Sequence, residues 1–235
     1  MGARLFEDGF SVTLLDLTAP SEVREDVKAL IALSQDGHDV CYRQVDVTNR
    51  ARVDEVISEF EQDLFVVLAN AGIVKSQPFL DISETYWNQH LDANLTGVFH
   101  TLQSAARIFV KNKRPGQIII TGSWVGRVPW PEIAAYSATK AAVEMLAKSA
   151  ARELSGHNIR VNVIAPGIVN AGLAKHQLQT EPQYAARVAK VVPLKELQTA
   201  EQVADIASFL CSTSGDYFTG STILADGGAS LFQFD

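Results

Sequence analysis

Tyr136-Ser137-Ala138-Thr139-Lys140 sets a phenol and an ammonium four residues apart. On a helix that spacing puts both on one face, one turn from each other. An unperturbed Tyr titrates at about 10, too high for a group that must give and take protons near neutrality. A Lys⁺ one turn away stabilises the phenolate and lowers that pKa toward the range a general acid/base requires. Taken alone, a Tyr and a Lys at this spacing are common by chance and read as a half-buried aromatic beside a solvated charge. Two further residues change the weighing. Ser123, at the end of the run Ile118-Ile119-Ile120-Thr121-Gly122-Ser123, can hydrogen-bond a substrate oxygen from the side opposite the phenol. Asn94, within Asn94-Leu95-Thr96-Gly97, supplies an amide able to fix a water in a proton relay.

Such side chains need a scaffold, and the chain alternates short β-branched runs with longer amphipathic stretches. The runs are Ser11–Leu15, Val40–Val45, Leu64–Leu68, Gln117–Thr121, Arg160–Ile164 and Ser221–Leu224. Several are apolar throughout, as expected of parallel strands buried on both faces. Helical patterns cover Glu22–Ser34, Arg50–Gln62, a long stretch around Ser83–Val110, Ala138–Leu154 and Ala200–Cys211, the last opened by the capping box Thr199-x-x-Gln202. This alternation predicts an α/β fold, a Rossmann-like doubly wound parallel sheet within one domain, residues 1–235. Ligands of such sheets lie beyond the carboxyl ends of the strands. There the sequence places Asp16, Asp46, Asn70-Ala71-Gly72, Ser123 and Pro166-Gly167, each of which alone is an ordinary turn former.

Composition narrows the function. Hydrophobic residues make up 47% and charged residues 20%, enough apolar material for a substantial core. A net charge of -7, with no clustered Lys/Arg stripe, argues against nucleic acid or an anionic membrane as partner. Cys41 and Cys211 lie far apart, outside any C-x-x-C pattern, and no apolar run reaches the roughly 20 residues of a membrane span. The expectation is a soluble cytoplasmic protein with reduced cysteines. His90, His100, His157 and His176 lack metal-ligand spacing, so no metal is expected.

In their order and spacing, Asn70-Ala71-Gly72, Asn94, Ser123, Tyr136-x-x-x-Lys140, Pro166-Gly167 and Asp226-Gly227-Gly228 resemble the short-chain dehydrogenase/reductase family, from about Ala3 to Ser230. The resemblance implies a hydride-transferring oxidoreductase that interconverts a secondary alcohol and a ketone with NAD(P). Tyr136 would be the general acid/base. Lys140 would lower its pKa and hold the nicotinamide ribose, Ser123 would orient the substrate oxygen, and Asn94 would hold the relay water. Asn70, Ala71 and Gly72 would pass under the adenosine ribose and the middle of the cofactor, Asp46 and Val47 would flank the adenine, and Pro166, Gly167 and Val169 would complete the cofactor contacts. Asp16, at the end of a strand, can accept both adenosine ribose hydroxyls and repel a 2′-phosphate. No Arg follows it in Leu17-Thr18-Ala19-Pro20, so NAD(H) is favoured over NADP(H).

The chain departs from the family in two places. The family's first strand and Thr-Gly-x-x-x-Gly-x-Gly loop should precede Ala3–Gly9, where only Gly2 and Gly9 occur before Gly37. The resemblance therefore implies a sheet without its first strand, two unpaired strand edges, and a weakened pyrophosphate cradle. Ala171 stands where the family often has a Thr that meets the nicotinamide carboxamide, leaving that bond to Asn170 or backbone. Val169–Lys190 reads as a mobile, mostly helical lid. Trp124, Val128, Pro129, Trp130, Pro131 and Ile133 favour an apolar or cyclic alcohol or ketone if they line the pocket; the two tryptophans can equally pack structurally or at a subunit contact. The Ser83–Val110 and Ala138–Leu154 helices carry wide apolar faces that the resemblance makes the family's subunit contacts, implying a homodimer or homotetramer, with the aromatics of Leu231-Phe232-Gln233-Phe234 free to dock on a neighbour. Two other functions stay open: a cofactor-deficient, non-catalytic binding or regulatory protein, and an NADP-dependent reductase of 3-oxoacyl or sugar ketones.

Overall fold

The computed structural model describes residues 1–34 and 39–231. Its strands are β1 (Val12–Asp16), β2 (Val40–Gln44), β3 (Val66–Ala69), β4 (Gly116–Thr121), β5 (Ile159–Pro166) and β6 (Thr222–Ala225). Its helices are α1 (Gly2–Glu7), α2 (Glu25–Ile31), α3 (Arg50–Ser58), α4 (Glu84–Leu91), α5 (Gly97–Lys111), α6 (Ala134–Leu154), α7 (Gly172–Thr180), α8 (Pro182–Val191) and α9 (Ala200–Cys211). No helix among the described residues is long and apolar enough to cross a membrane. The Phe232–Phe234 part of the expected docking tail lies outside the described residues; Leu231 is exposed.

All strand pairs are parallel and form two sheets, β1-β2 and β3-β4-β5-β6. Among the described residues β1 and β3 each pair on one side only. β4 and β5 are buried on both faces: Ile118, Ile120, Val161 and Val163 pack under α5 and α6, while Ile119 and Ile164 pack under α9. The expectation of full burial holds for these two strands and fails for β1 and β3. Val12 to Leu15 and Val66 to Leu68 are only half-buried, because no strand covers their outer edges.

Helix boundaries follow local chemistry. The Glu22–Ser34 pattern yields only α2, since Pro20–Glu22 forms a 3-10 turn and Arg24 is still extended. α6 begins four residues before the expected Ala138 and buries Ala135, Thr139, Val143, Ala147 and Ala151, a fourfold spacing that lays small side chains against β4 and β5. The long Ser83–Val110 pattern is interrupted by one π-helical segment, Asp92–Thr96. Such single-turn widenings are frequent at functional sites, and this one carries Asn94. Gly97, just beyond it, is required by close packing: a Cβ there would come within 2.6 Å of Val47 Cγ2. The capping box forms as expected, with Thr199 Oγ1 accepting from the Gln202 N–H and Gln202 Oε1 from the Thr199 N–H.

Candidate active site

The polar residues of the sequence converge at the carboxyl ends of the strands. Asp16 closes β1 and Asp46 follows β2. Each carboxylate makes the same local turn: Asp16 Oδ1 accepts from Thr18 N (2.8 Å) and Oγ1 (2.7 Å), and Asp46 Oδ1 from Thr48 N (2.9 Å) and Oγ1 (2.7 Å). In both, the other oxygen carries no hydrogen bond among the described residues. Both side chains are exposed. Val47 is pinned by packing on Gly97 and by His100, whose ring Nδ1 lies 3.0 Å from its carbonyl. The absence of a neighbouring Arg at Asp16 does not hold in space. Arg24 is drawn upward in pKa first by its fork onto Asp26 and also by the charge of Asp16. The turn at Pro20–Glu22 brings Arg24 back, which reading the next four residues could not reveal.

After β3, Asn70 accepts from Thr121 Oγ1 (2.9 Å). Ala71 is exposed. Gly72 runs past Asn94 so closely that a Cβ would sit 2.9 Å from Asn94 Oδ1 and 3.9 Å from Lys140 Nζ. The Asn94 side chain is fully buried and already engaged: Oδ1 accepts from Ile73 N (2.7 Å), and Nδ2 donates to Ile73 O (2.9 Å) and, at 3.4 Å, to Thr139 Oγ1. The amide proposed from sequence as a water holder is thus a clamp that fixes the strand-end loop to α6. Asn94→Ala is expected to leave the Ile73 N–H and carbonyl unpaired and to cost about 1–3 kcal/mol of stability. Urea unfolding of the two proteins measures it, and an unchanged midpoint would remove the clamp from the account.

Ser123 follows β4, is buried, and accepts weakly from Val125 N (3.4 Å) as the 3-10 turn Trp124–Gly126 begins. Tyr136 and Lys140 stand one turn apart on α6. The Ser123 side chain lies close enough to the Tyr136 phenol to draw its pKa down, so the structure brings Ser123, Tyr136 and Lys140 together. The electrostatics differ. Burial raises the Tyr136 pKa, and the one opposing influence is Ser123. Lys140 makes no hydrogen bond to the phenol among the described residues. Its ammonium lies 5.5 Å from the centre of the Tyr136 ring and donates to Thr121 O (2.7 Å). Burial brings Lys140 itself down to about 8, as desolvation of an ammonium does.

Beside this trio lies a small cavity of about 100 Å³, open to solvent. Ser123, Trp124, Trp130 and Tyr136 line it together with Gly167 and Ile168 after β5 and with Gln177 and Tyr184. Both tryptophans are core residues as well as cavity wall, with their rings edge-to-face at 5.3 Å. Pro129 and Pro131 are exposed. The stretch after Val169 is helical as expected, forming α7 and α8, and Val169 bridges Gln198. Pro166 is buried at the end of β5, where Gly167 must be bare because a Cβ would lie 2.6 Å from Asp226 Cα. Asn170 and Ala171 are held through their backbone N–H groups by Gln198 O (2.8 Å) and Val169 O (2.7 Å). Sequence reasoning missed Tyr184, Gln177 and Thr121; none stands at a telling spacing from Tyr136.

Comparison with known proteins gives consistent relatives. A family model described as enoyl-(acyl carrier protein) reductase matches residues 2–230. The chain is 33% identical to 3beta-hydroxysteroid dehydrogenase 1 of Eggerthella lenta, over 100% of this chain and 90% of that protein. It is 32% identical to L-2,3-butanediol dehydrogenase of Corynebacterium glutamicum, over 96% and 91%. Among solved structures, the gluconate 5-dehydrogenase of Burkholderia cenocepacia in complex with NADP and tartrate superposes with a TM-score of 0.87 at 26% identity, covering 99% of this chain and 90% of that one.

Proposed function

Because the chain belongs to the short-chain dehydrogenase/reductase family, we propose that it is an NAD(P)-dependent oxidoreductase acting on a CH–OH group, interconverting a secondary alcohol and a ketone. The observation that carries this reading is that Ser123 and Tyr136 line one aromatic cavity together, with the Lys140 ammonium 5.5 Å from the Tyr136 ring.

A bound nicotinamide cofactor supplies the hydride acceptor or donor. Tyr136 gives its phenolic proton to the carbonyl oxygen in reduction and takes the alcohol proton in oxidation. Ser123, which lines the same cavity as that phenol, holds the same substrate oxygen. Lys140 lies close enough to the phenol's ring to favour the phenolate once it forms, and its ammonium can also reach a ribose hydroxyl. Trp124, Trp130 and Ile133 exclude water from the proton transfer. The remaining residues fit the cofactor at both ends. Asp16 keeps one carboxylate oxygen free for ribose hydroxyls. Asp46 and Val47 flank the adenine, and Asn70, Ala71 and Gly72 offer bare backbone. Pro166, Gly167 and Val169 close the nicotinamide side.

NAD(H) is the favoured cofactor, since the Asp16 carboxylate repels a 2′-phosphate and the nearby Arg24 is already forked onto Asp26. Asp16→Ser is expected to weaken NADH binding by about tenfold, roughly the 1.4 kcal/mol of one charge-assisted hydrogen bond, and to tighten NADPH. Calorimetric titration of both nucleotides into both proteins tests this; tighter NADPH than NADH binding by the unaltered chain overturns the preference. Binding of neither nucleotide by the folded protein overturns the enzyme reading and leaves a binding scaffold. Trp87, Phe99 and Met145, exposed on α4, α5 and α6, support a homodimer or homotetramer, for which a sedimentation result of a folded monomer is the contrary outcome.

A further inference from the structure

The cavity that holds Tyr136 is lined by a second phenol. Tyr184, on α8, lines the same space, and its ring meets Trp130 edge-to-face at 5.9 Å. Trp130 in turn meets Trp124 at 5.3 Å, so three aromatic rings in contact fix the orientation of Tyr184 from β4 outward. The Tyr184 hydroxyl has no hydrogen-bond partner among the described residues, although most of the surrounding wall is apolar. Phenols at largely apolar sites usually find a partner.

The groups beside it are also polar and partly committed. Gln177 is buried; its Nε2 donates to Ser76 Oγ (3.1 Å) and Glu181 Oε1 (3.3 Å), while Ser76 Oγ donates to Glu181 Oε2 (3.0 Å). The Gln177 carbonyl, on a residue that lines the cavity, keeps no partner among the described residues. Burial first, then the proximity of Tyr136 and of Glu181, pushes the Tyr184 phenol up to about 12. It therefore remains a neutral donor wherever the enzyme would work. No Lys or Arg is among the residues that line the cavity, so the lining itself offers a carboxylate-bearing substrate no cationic partner.

We propose that Tyr184, with the Gln177 carbonyl, recognises a hydroxyl next to the reacting carbon, so that the substrates are neutral, largely apolar α-hydroxyketones and the vicinal diols they form. This rests on the reading of Tyr136 as the proton-transferring residue and names the substrate class of that same site. Tyr184 donates to the hydroxyl oxygen and Gln177 accepts its proton, while the carbonyl oxygen sits between Ser123 and Tyr136. A site built to bond a polar group rejects the analogue lacking it far more strongly than an apolar pocket rejects a missing methylene.

The experiment compares 2-hydroxycyclohexanone with cyclohexanone as substrates, and trans-1,2-cyclohexanediol with cyclohexanol as ligands, in the unaltered protein and Tyr184→Phe. Phe keeps the ring against Trp130, so folding is not at stake. The unaltered enzyme should prefer the hydroxyketone by about tenfold to a hundredfold in kcat/KM, the range of one or two hydrogen bonds. Tyr184→Phe should reduce that ratio to near one, mainly through a higher KM for the hydroxyketone. Quenching of tryptophan fluorescence by the diol and by cyclohexanol reads binding without turnover, since Trp124 and Trp130 line the site. No preference in the unaltered protein, or an equal loss on both ketones in the variant, overturns the proposal. If neither ketone is reduced with either nucleotide, the catalytic reading fails, while a fluorescence preference for the diol that vanishes in Tyr184→Phe still upholds the recognition.

Discussion

Replacing Tyr136 by Phe will lower kcat/KM about 10²–10⁴-fold in both directions, the contribution of a positioned proton donor and acceptor. The ring will stay seated beside the Lys140 ammonium and the Ser123 turn, so nucleotide binding by calorimetry and the thermal midpoint should not move. The loss isolates the oxygen atom. Ser123 remains to hold the substrate but has no neighbouring base, and Lys140, committed to Thr121 O, cannot reach across the ring to substitute. Rates that fall by less than about tenfold would assign proton transfer elsewhere.

The pH profile follows from the same burial. Desolvation holds the Tyr136 phenol above its ordinary range, so its acid form, which reduction needs, persists through neutral and mildly alkaline solution. Lys140, brought down to about 8, is charged below that pH and neutral above it. Reduction should therefore be level below about 8 and decline above it as the phenolate left by proton transfer loses its cation. In Lys140→Met that limb should disappear along with most of the rate.

The pattern that exposed this site was local. Tyr136 and Lys140 share a helix face at a fixed spacing, and Asp16, Asp46, Asn70, Ser123 and Pro166 sit at strand ends wherever an alternating chain winds into a parallel sheet. Distances set by tertiary packing were not legible. Arg24 meets Asp16 only because a 3-10 turn doubles the chain back, and Tyr184 meets Tyr136 only because α8 packs over the sheet end. The sign of the Tyr136 shift was misread for a related reason: spacing alone places a cation one turn away, yet burial and a carbonyl acceptor decide what that cation does. The half-burial of β1 and β3 was hidden too, since an apolar run looks the same whether or not a strand lies on its outer edge.

Gly126→Val tests what holds the trio together, and it should lower kcat by about 10²-fold or more with a smaller change in KM. Gly126 ends the turn that carries Ser123. A Cβ there would lie 2.9 Å from the Lys140 carbonyl carbon, 3.0 Å from Ala141 N and 3.1 Å from Lys140 O, so the turn rests directly on the α6 backbone at the lysine. The next residue, Arg127, forks onto Glu144 one turn further along, with Nε 3.2 and 3.1 Å from the two oxygens and the second nitrogen at 3.0 Å. Thr222 Oγ1 adds a weaker bond from β6 at 3.4 Å. Backbone cannot retreat as a flexible side chain would, so the valine must push the turn outward and carry Ser123 off the Tyr136 oxygen. A misplacement of about 1 Å is enough for a hundredfold loss, and the overpacking should cost about 1–3 kcal/mol of stability. Gly156→Ala is the control: nothing lies within 4 Å of a Cβ there, and neither rate nor stability should change beyond about 0.5 kcal/mol. A Gly126→Val enzyme with full kcat would mean that Ser123 is held by its strand alone, and the contact with α6 would be packing without catalytic consequence.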